Sequence, residues 1–467
     1  MLEADILASL FDDGQALDRR IPVNPYKELR YLVIEDQEAS RKTLQMCIQS
    51  MGGSSIDLAA SFNDAVNRIQ RHMPDVIVCD YMLGSGRTGQ QLLEDLRRSS
   101  RLPDTVAFLM VTAERTYEQV VSAVELAPDD YIIKPFSPET LRSRMERVIR
   151  KKIFFHAFHQ LKVTGDFDAA IAELDALEGA EEGRQYRFDI FRARAETLLA
   201  AEAFQAAYDS YAAILEVHPF PWALAGQARA LRQLTRYDEA EQAVDSVLAA
   251  APNYFDAYDL KADICCDLGK FDEAQSILQQ AAERTPRNWQ RKRSLSTVAK
   301  LNGDFDTARK LIEEVIANDR VGGFPIGDRI ALVRTALEGG DQALARKTLG
   351  ELTAEEREAL GPEEWLNLEC LEARMEGGEA GSKRFDRVRA ELRRANLPVD
   401  SALDAIRAAL EFSDRQLADQ MADELLTGSE ARRAFHAMLE IYRRHDMKDH
   451  FRQLQRAAAA RLLQKKH

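Results

Sequence analysis

The sequence predicts an α/β domain, a doubly wound five-stranded parallel sheet, followed by an all-α helical-repeat solenoid. Three observations carry that expectation. In the first third of the chain, short apolar runs alternate with segments of helical spacing. After residue 150 those runs vanish, and the chain is rich in Ala, Leu, Glu and Arg at helical spacing almost to its end. Within that second part, one aromatic-centred pattern recurs with late intervals of 33, 34 and 34 residues.

The elements follow in order. Residues 1–26 read as a polar extension with an amphipathic turn or two. Runs 31–34, 56–60, 75–79, 106–111 and 131–133 are strand candidates. Segments 41–51, 63–71, 90–98, 117–126 and 138–152 are helix candidates, the last opened by Ser137. Short apolar strands alternating with helices need cover on both faces, and right-handed crossovers then wind the sheet both ways. The site of such a fold lies beyond the carboxyl ends of its strands. Glu35, Asp36, Asp80, Thr112 and Lys134 stand at those ends.

Three carboxylates brought together repel one another, and a hard divalent cation removes that penalty. Mg²⁺ is the natural candidate, with Mn²⁺ an equivalent, and Glu35 and Asp36 are the candidate ligands. An ionised carboxylate can also attack phosphorus. Asp80, alone at the end of the central strand, is the candidate nucleophile. Lys134 and the Thr112 hydroxyl would neutralise and position a phosphoryl group.

These residues, in this order and spacing, resemble the receiver domain of two-component response regulators over residues 28–150. The pair Glu35-Asp36 matches the family's metal-binding pair, and Asp80 after Val76-Ile-Val-Cys79 its phosphoacceptor. Thr112-Ala113 matches the hydroxyl residue and the small residue after it. Tyr131-Ile-Ile-Lys134-Pro135-Phe136 matches the switch aromatic, the lysine and its proline. The resemblance implies a flavodoxin-like fold and a metal ligand from the Met82 backbone carbonyl. It also implies a phosphate contact from the Ala113 backbone, a cis peptide before Pro135, and switching by Thr112 and Tyr131. Two segments depart from the family. Met82-Leu-Gly-Ser-Gly-Arg-Thr-Gly89 lacks the common proline and is one residue longer, and Ala127-Pro128 replaces a Gly-Ala pair. The first leaves the lifetime of the phosphorylated state open; neither removes a catalytic group.

The recurring pattern after residue 150 places aromatics at Phe167, Phe204, Tyr237, Phe271 and Phe305. Each is followed three residues later by alanine, and Pro219, Pro252 and Pro286 close units. Glycine ending a first helix, an aromatic in the angle and alanine at the crossing make a helix pair that must stack on its neighbours. This resembles the tetratricopeptide repeat, best in the unit with Tyr258, Ala262, Gly269, Phe271, Ala274, Ala281 and Pro286. The family's first-helix Leu-Gly signature is missing from the units that align best. The expected division is an extension at 1–26, a receiver at 27–150, repeats at 151–320, and degenerate repeats or a helical cap at 321–467. Helix 138–152 is expected to run unbroken through Lys151-Lys152 into Phe154-Phe155 and so to join the two parts rigidly. Asp256, Asp259, Asp263 and Asp267 fall on one helical stripe. That stripe is either a groove for a basic partner segment or a plain solvated face.

Composition narrows the function classes. With 63 Lys and Arg against 77 Asp and Glu, the net charge is −14, so no nucleic acid is expected as a partner. The five cysteines make no metal or disulfide spacing, and no apolar run is long enough to span a membrane, so the expectation is a reduced, cytoplasmic chain. The N-terminal residues do not read as a secretory signal. No nucleotide loop or nucleophile elbow appears after residue 150, so no separate enzymatic output is expected. The reading is a response regulator phosphorylated by a histidine kinase or phosphotransfer protein, whose repeats bind an unknown protein target. A phosphorelay modulator or phosphate sink whose repeats dock the kinase is the alternative, and a transcription regulator a more distant one.

Overall fold

Apolar runs without polar alternation have no face to offer water and must lie inside a sheet. In the computed structural model the strands are β1 (Arg30–Ile34), β2 (Ser55–Ala59), β3 (Val76–Asp80), β4 (Ala107–Thr112) and β5 (Asp130–Ile133). Every residue of β3 and β4 is buried. The five form one parallel sheet in the order β2-β1-β3-β4-β5. The edge strand β2, by contrast, is partly exposed. The structure describes residues 26–84, 88–98, 101–113, 128–286, 288–318, 326–428 and 431–464. The expected extension at 1–26, except Tyr26, and the expected helix 117–126 lie outside them. Two compact units divide the chain, Met1–Ala257 and Tyr258–His467.

Helices α1 (Glu38–Ser50), α2 (Phe62–Arg71), α3 (Gly89–Arg98) and α4 (Pro138–Phe154) cover the sheet. The Ser61 hydroxyl accepts from the Asp64 N–H at 3.3 Å to start α2, whose Phe62, Ala65, Val66 and Ile69 form one buried stripe. Ser137 accepts from the Thr140 N–H at 3.1 Å, and Pro138 takes the first helical position of α4. Leu141, Met145, Val148 and Ile149 of α4 enter the same core as Val33, Val78 and Leu109.

The helix runs through Lys151-Lys152 to Phe154 as expected, but it is interrupted at Phe155. α4 stops at Phe154, Phe155 leaves helical geometry at φ −92° and ψ 6°, and α5 (His156–Val163) restarts after it. Neighbours on a helix point about 100° apart, yet Phe154 and Phe155 both bury their rings, with Phe158, Leu174, Leu177 and Ile190, in one cluster. Polar contacts hold the junction instead. Lys152 Nζ lies 2.8 Å from Asp129 Oδ1 and donates to the Asp104 carbonyl at 2.6 Å. Lys162 reaches Asp104 at 3.4 Å, and Lys151 reaches Asp189 at 2.6 Å. Asp104 and Asp129 precede β4 and β5, so the first helix pair attaches at the amino ends of the strands.

From His156 onward every described element is helical. The second helix of each pair begins on the aromatic: Phe167, Phe204, Tyr237, Phe271 and Phe305. Three residues on, Ala170, Ala207, Ala240, Ala274 and Ala308 are fully buried, which lets the helices approach. Two residues before each start the chain turns left-handed, at Gly165, Glu202, Thr235, Gly269 and Gly303. The same turn recurs past residue 320. Gly340, Ser413 and Asp446 have positive φ two residues before the helices Gln342–Gly350, Arg415–Thr427 and Lys448–Gln464. Its closing hydrogen bond also recurs: Arg236 N–H to Leu231 O at 2.9 Å, Asp414 N–H to Ala409 O at 2.7 Å, Met447 N–H to Tyr442 O at 2.8 Å.

A β-branched residue at positive φ is strained. Thr235→Gly should therefore stabilise the chain by roughly 0.5–1 kcal/mol, the left-handed penalty outweighing glycine's entropy, as an upward shift of the urea midpoint.

His159 supplies a second prediction. Burial among Phe155 and Phe158, with the Lys152 and Lys162 ammoniums nearby, outweighs Asp104 and Asp129 and pulls its imidazole down from 6.5 to about 4. The unfolded chain therefore takes up this proton first as pH falls. The group's stability contribution is full above pH 6.5 and is lost towards pH 4, by up to about 3 kcal/mol. Urea midpoints followed over that range should fall less steeply in His159→Phe than in the wild type.

Candidate functional site

Because all strands run parallel, their carboxyl ends meet on one side, and four of them deliver the site. Glu35 and Asp36 follow β1, Asp80 ends β3, Thr112 ends β4, and Lys134 follows β5. Glu35 is fully buried and Asp80 nearly so, whereas Asp36 is exposed. One carboxylate oxygen from each of the three lies within 4.8 Å of the others. Lys134 Nζ donates to Glu35 Oε2 at 2.7 Å and to Asp80 Oδ1 at 2.9 Å. Its backbone N–H is held by the Thr112 carbonyl at 2.7 Å, and the Lys134–Pro135 peptide is cis.

The electrostatics follow from burial and these pairs. Burial pushes the Glu35 carboxyl above its usual range and the Asp80 charge adds to this, while the Lys134 ammonium opposes both. Burial also works against the Lys134 charge, but the hydrogen bonds and charges of Glu35 and Asp80 outweigh it and hold the ammonium above its usual range. Three carboxylates and one ammonium leave −3 + 1 = −2. That balance and an all-oxygen donor set suit a hard divalent cation such as Mg²⁺.

The remaining expected residues stand as follows. Thr112 is buried and Ala113 exposed at the end of β4. Tyr131 is half-buried on β5, in register with Met110. Met82 is exposed and bridges to Thr88. Asp256, Asp259, Asp263 and Asp267 share the helix Phe255–Asp267, but they are not four open carboxylates. Asp259 is gripped by the buried Arg291 guanidinium, with Nε at 2.8 Å from Oδ1 and Nη2 at 2.7 Å from Oδ2.

Two supporting residues escape a reading by motif. Arg41 Nη1 donates to the Glu35 carbonyl at 2.6 Å and so fixes the acidic turn. Gly89 opens α3 against the back of Asp80. A Cβ there would stand 2.4 Å from the Asp80 carbonyl oxygen, 2.7 Å from Cys79 Sγ and 2.9 Å from Met110 Sδ. Gly89 has no left-handed backbone; the position needs the room.

Comparison with known proteins agrees with this architecture. The family model for the response regulator receiver domain matches residues 31–146, and that for the tetratricopeptide repeat matches residues 255–288. The chain therefore carries a receiver domain and tetratricopeptide repeats. The phosphate regulon transcriptional regulatory protein PhoB of Escherichia coli is 35% identical over 122 residues, which are 26% of this chain and 52% of that protein. The chain thus spans about half the length of the curated relatives it matches. Among solved structures, the chemotaxis response regulator CheY4 of Vibrio cholerae is 27% identical, with a TM-score of 0.24, over 26% of this chain and 98% of its own. A tetratricopeptide repeat protein from Parabacteroides merdae is 15% identical, with a TM-score of 0.39, over 57% of this chain and 97% of its own. No helix among the described residues is long and apolar enough to cross a membrane.

The contact at Gly89 makes a prediction. Gly89→Ala should destabilise the domain by about 1–3 kcal/mol through overpacking, read as a lowered urea midpoint, because the clashing carbonyl belongs to a buried strand.

Proposed function

We propose that this chain is a phosphorylation-controlled adaptor. Asp80 accepts a phosphoryl group from a histidine kinase or a phosphotransfer protein, and the helical repeats bind a protein target. In this reading the receiver spans 27–150, the repeats 151–320, and degenerate repeats or a helical cap 321–467. The observation that supports it most is the Lys134 ammonium shared between Glu35 and Asp80 at 2.7 and 2.9 Å.

An Asp80 carboxylate oxygen attacks the phosphorus of a phosphohistidine. The P–O bond forms as the P–N bond breaks, and the imidazole leaves, taking a proton from solvent as needed. Lys134, the Thr112 hydroxyl and the Ala113 N–H receive the phosphoryl oxygens. The Glu35, Asp36 and Asp80 carboxylates and the Met82 carbonyl would hold Mg²⁺, or Mn²⁺ in its place. When bound, the ion supplies positive charge against the phosphoryl oxygens. The acyl phosphate adds about two negative charges beside Thr112 and Lys134. Thr112 moves towards it and Tyr131 turns inward, and the surface around β5 changes its partners. The net charge of −14 and the five free cysteines favour a protein partner and a reducing, cytoplasmic setting.

Incubation with acetyl phosphate and Mg²⁺, followed by phosphate-affinity electrophoresis, tests the assignment. The wild type should give a retarded band that hydroxylamine removes. Asp80→Asn should give none, and Lys134→Ala should give one reduced about tenfold or more. A band of wild-type intensity in Asp80→Asn would place the phosphoryl group elsewhere.

A further inference from the structure

Within the unit Tyr258–His467, a cavity of about 800 Å³ opens where successive first helices of the pairs end. Lys300, Glu338, Arg374 and Glu411 each sit in the last turn of a different helix and line it. Arg407 completes the buried floor, and the exposed Arg443, Arg444 and Lys448 form the rim. With Glu440, the cavity carries six Lys and Arg against three Glu, a balance of 6 − 3 = +3 in a chain of net −14.

The charge balance gives the sign of the missing partner, and the hydrogen-bond inventory shows where it can be met. The carbonyls at these helix ends are already taken: Val298 O by the Asn302 N–H at 2.9 Å, Ala299 O by the Asp304 N–H at 2.8 Å, Ala336 O by the Asp341 N–H at 2.8 Å. The donors are not. Arg374 is 10% exposed and spans Nε and Nη2 to Glu411, but its Nη1 is buried without a hydrogen-bond partner among the described residues. Lys300 is 11% exposed and has its nearest ion-pair contact among the described residues at 3.9 Å, to Glu338. Burial pushes its ammonium below the usual lysine range. One buried acceptor also lacks a hydrogen bond, Glu338 Oε1, but Arg407 Nη2 stands 3.3 Å away and compensates its charge. A buried donor such as Arg374 Nη1 is costly unless an acceptor reaches it.

We propose that this cavity binds an acidic peptide segment, with side-chain carboxylates on Lys300 and Arg374 and with Arg444 and Lys448 closing over it. The volume falls within the range of sites that enclose a ligand of drug size. It is too large for a single inorganic anion. Phe271, Leu301, Leu337 and Leu439 line the same space, so apolar side chains between the acids have somewhere to go. Guanidinium pairing with carboxylates is the chemistry already present on its walls. The proposal is independent of chemistry at Asp80 and opposite in sign to the aspartate stripe of the helix Phe255–Asp267.

The test titrates the full chain into a fluorescein-labelled peptide of alternating Glu-Leu and Asp-Leu pairs, read by polarisation. A Gln-Leu and Asn-Leu peptide of equal length is the control. Saturable binding of the acidic peptide should weaken with added salt. It should weaken about tenfold or more in Lys300→Met and in the rim variant Arg444→Glu/Lys448→Glu. The rim positions are exposed, so that variant keeps the proposal testable where Lys300→Met lowers the thermal midpoint. Equal binding of the two peptides, affinity unchanged in the rim variant, or no saturation up to about 1 mM acidic peptide overturns the proposal. Displacement of the bound peptide by ATP but not by excess unlabelled acidic peptide overturns it in favour of a nucleotide site.

Discussion

The receiver site rests on one ammonium. Glu35 is fully buried, Asp80 nearly so, and both are carboxylates at neighbouring strand ends. Two such groups facing each other without a cation would push one another towards protonation. Lys134 Nζ lies within 2.9 Å of both and keeps an anionic pocket in a mostly apolar sheet end. The strand order makes this contact unavoidable. β1 and β3 are adjacent, so their acids meet, and β5 lies two strands from β3, a gap a lysine side chain can cross. The site is therefore a consequence of topology as much as of residue choice.

That is why so much of it is legible in the sequence. The strand-end positions of Glu35, Asp80, Thr112 and Lys134 follow from where apolar runs stop, and a parallel sheet turns those stops into neighbours. What supports the site is harder to see. Arg41 grips a backbone carbonyl, so no motif marks it. Gly89 matters for the space of one methyl group, which no spacing rule encodes. The aspartate stripe was legible as a stripe, but not the capture of Asp259 by Arg291, which stands 32 residues later on another helix.

The helix pairs show the same limit from another side. Glycine announces a left-handed turn at 165, 269, 303 and 340, but Glu202, Thr235, Ser413 and Asp446 adopt it without announcing anything. A search keyed to glycine thus misses the turns at Ser413 and Asp446, which the backbone makes all the same. The buried Ala345 and Ala418 sit where Ala274 and Ala308 do relative to their helices. Packing against neighbours overrides the local preference at those four positions, because the turn must close whichever residue occupies it.

The bend at Phe155 changes how the receiver can speak to the repeats it carries. A continuous helix would have been a single lever. Instead, strand β5 is held at both ends: Lys134 by Glu35 and Asp80, and Asp129, just before its start, by Lys152 at 2.8 Å. β5 has four residues, about 13 Å of chain. Each pairs in register with β4, from Asp130 against Leu109 to Ile133 against Thr112. A strand so short and so fully paired has little room to absorb a displacement. Lys152 is itself buried, and burial lowers its affinity for the proton while Asp129 raises it. Removing one partner of a largely buried ion pair leaves the other charge uncompensated and is strongly destabilising. The contacts of Lys134 and Asp129 thus bracket β5, and Lys152, which holds Asp129, stands two residues before Phe154, whose ring enters the helical repeats.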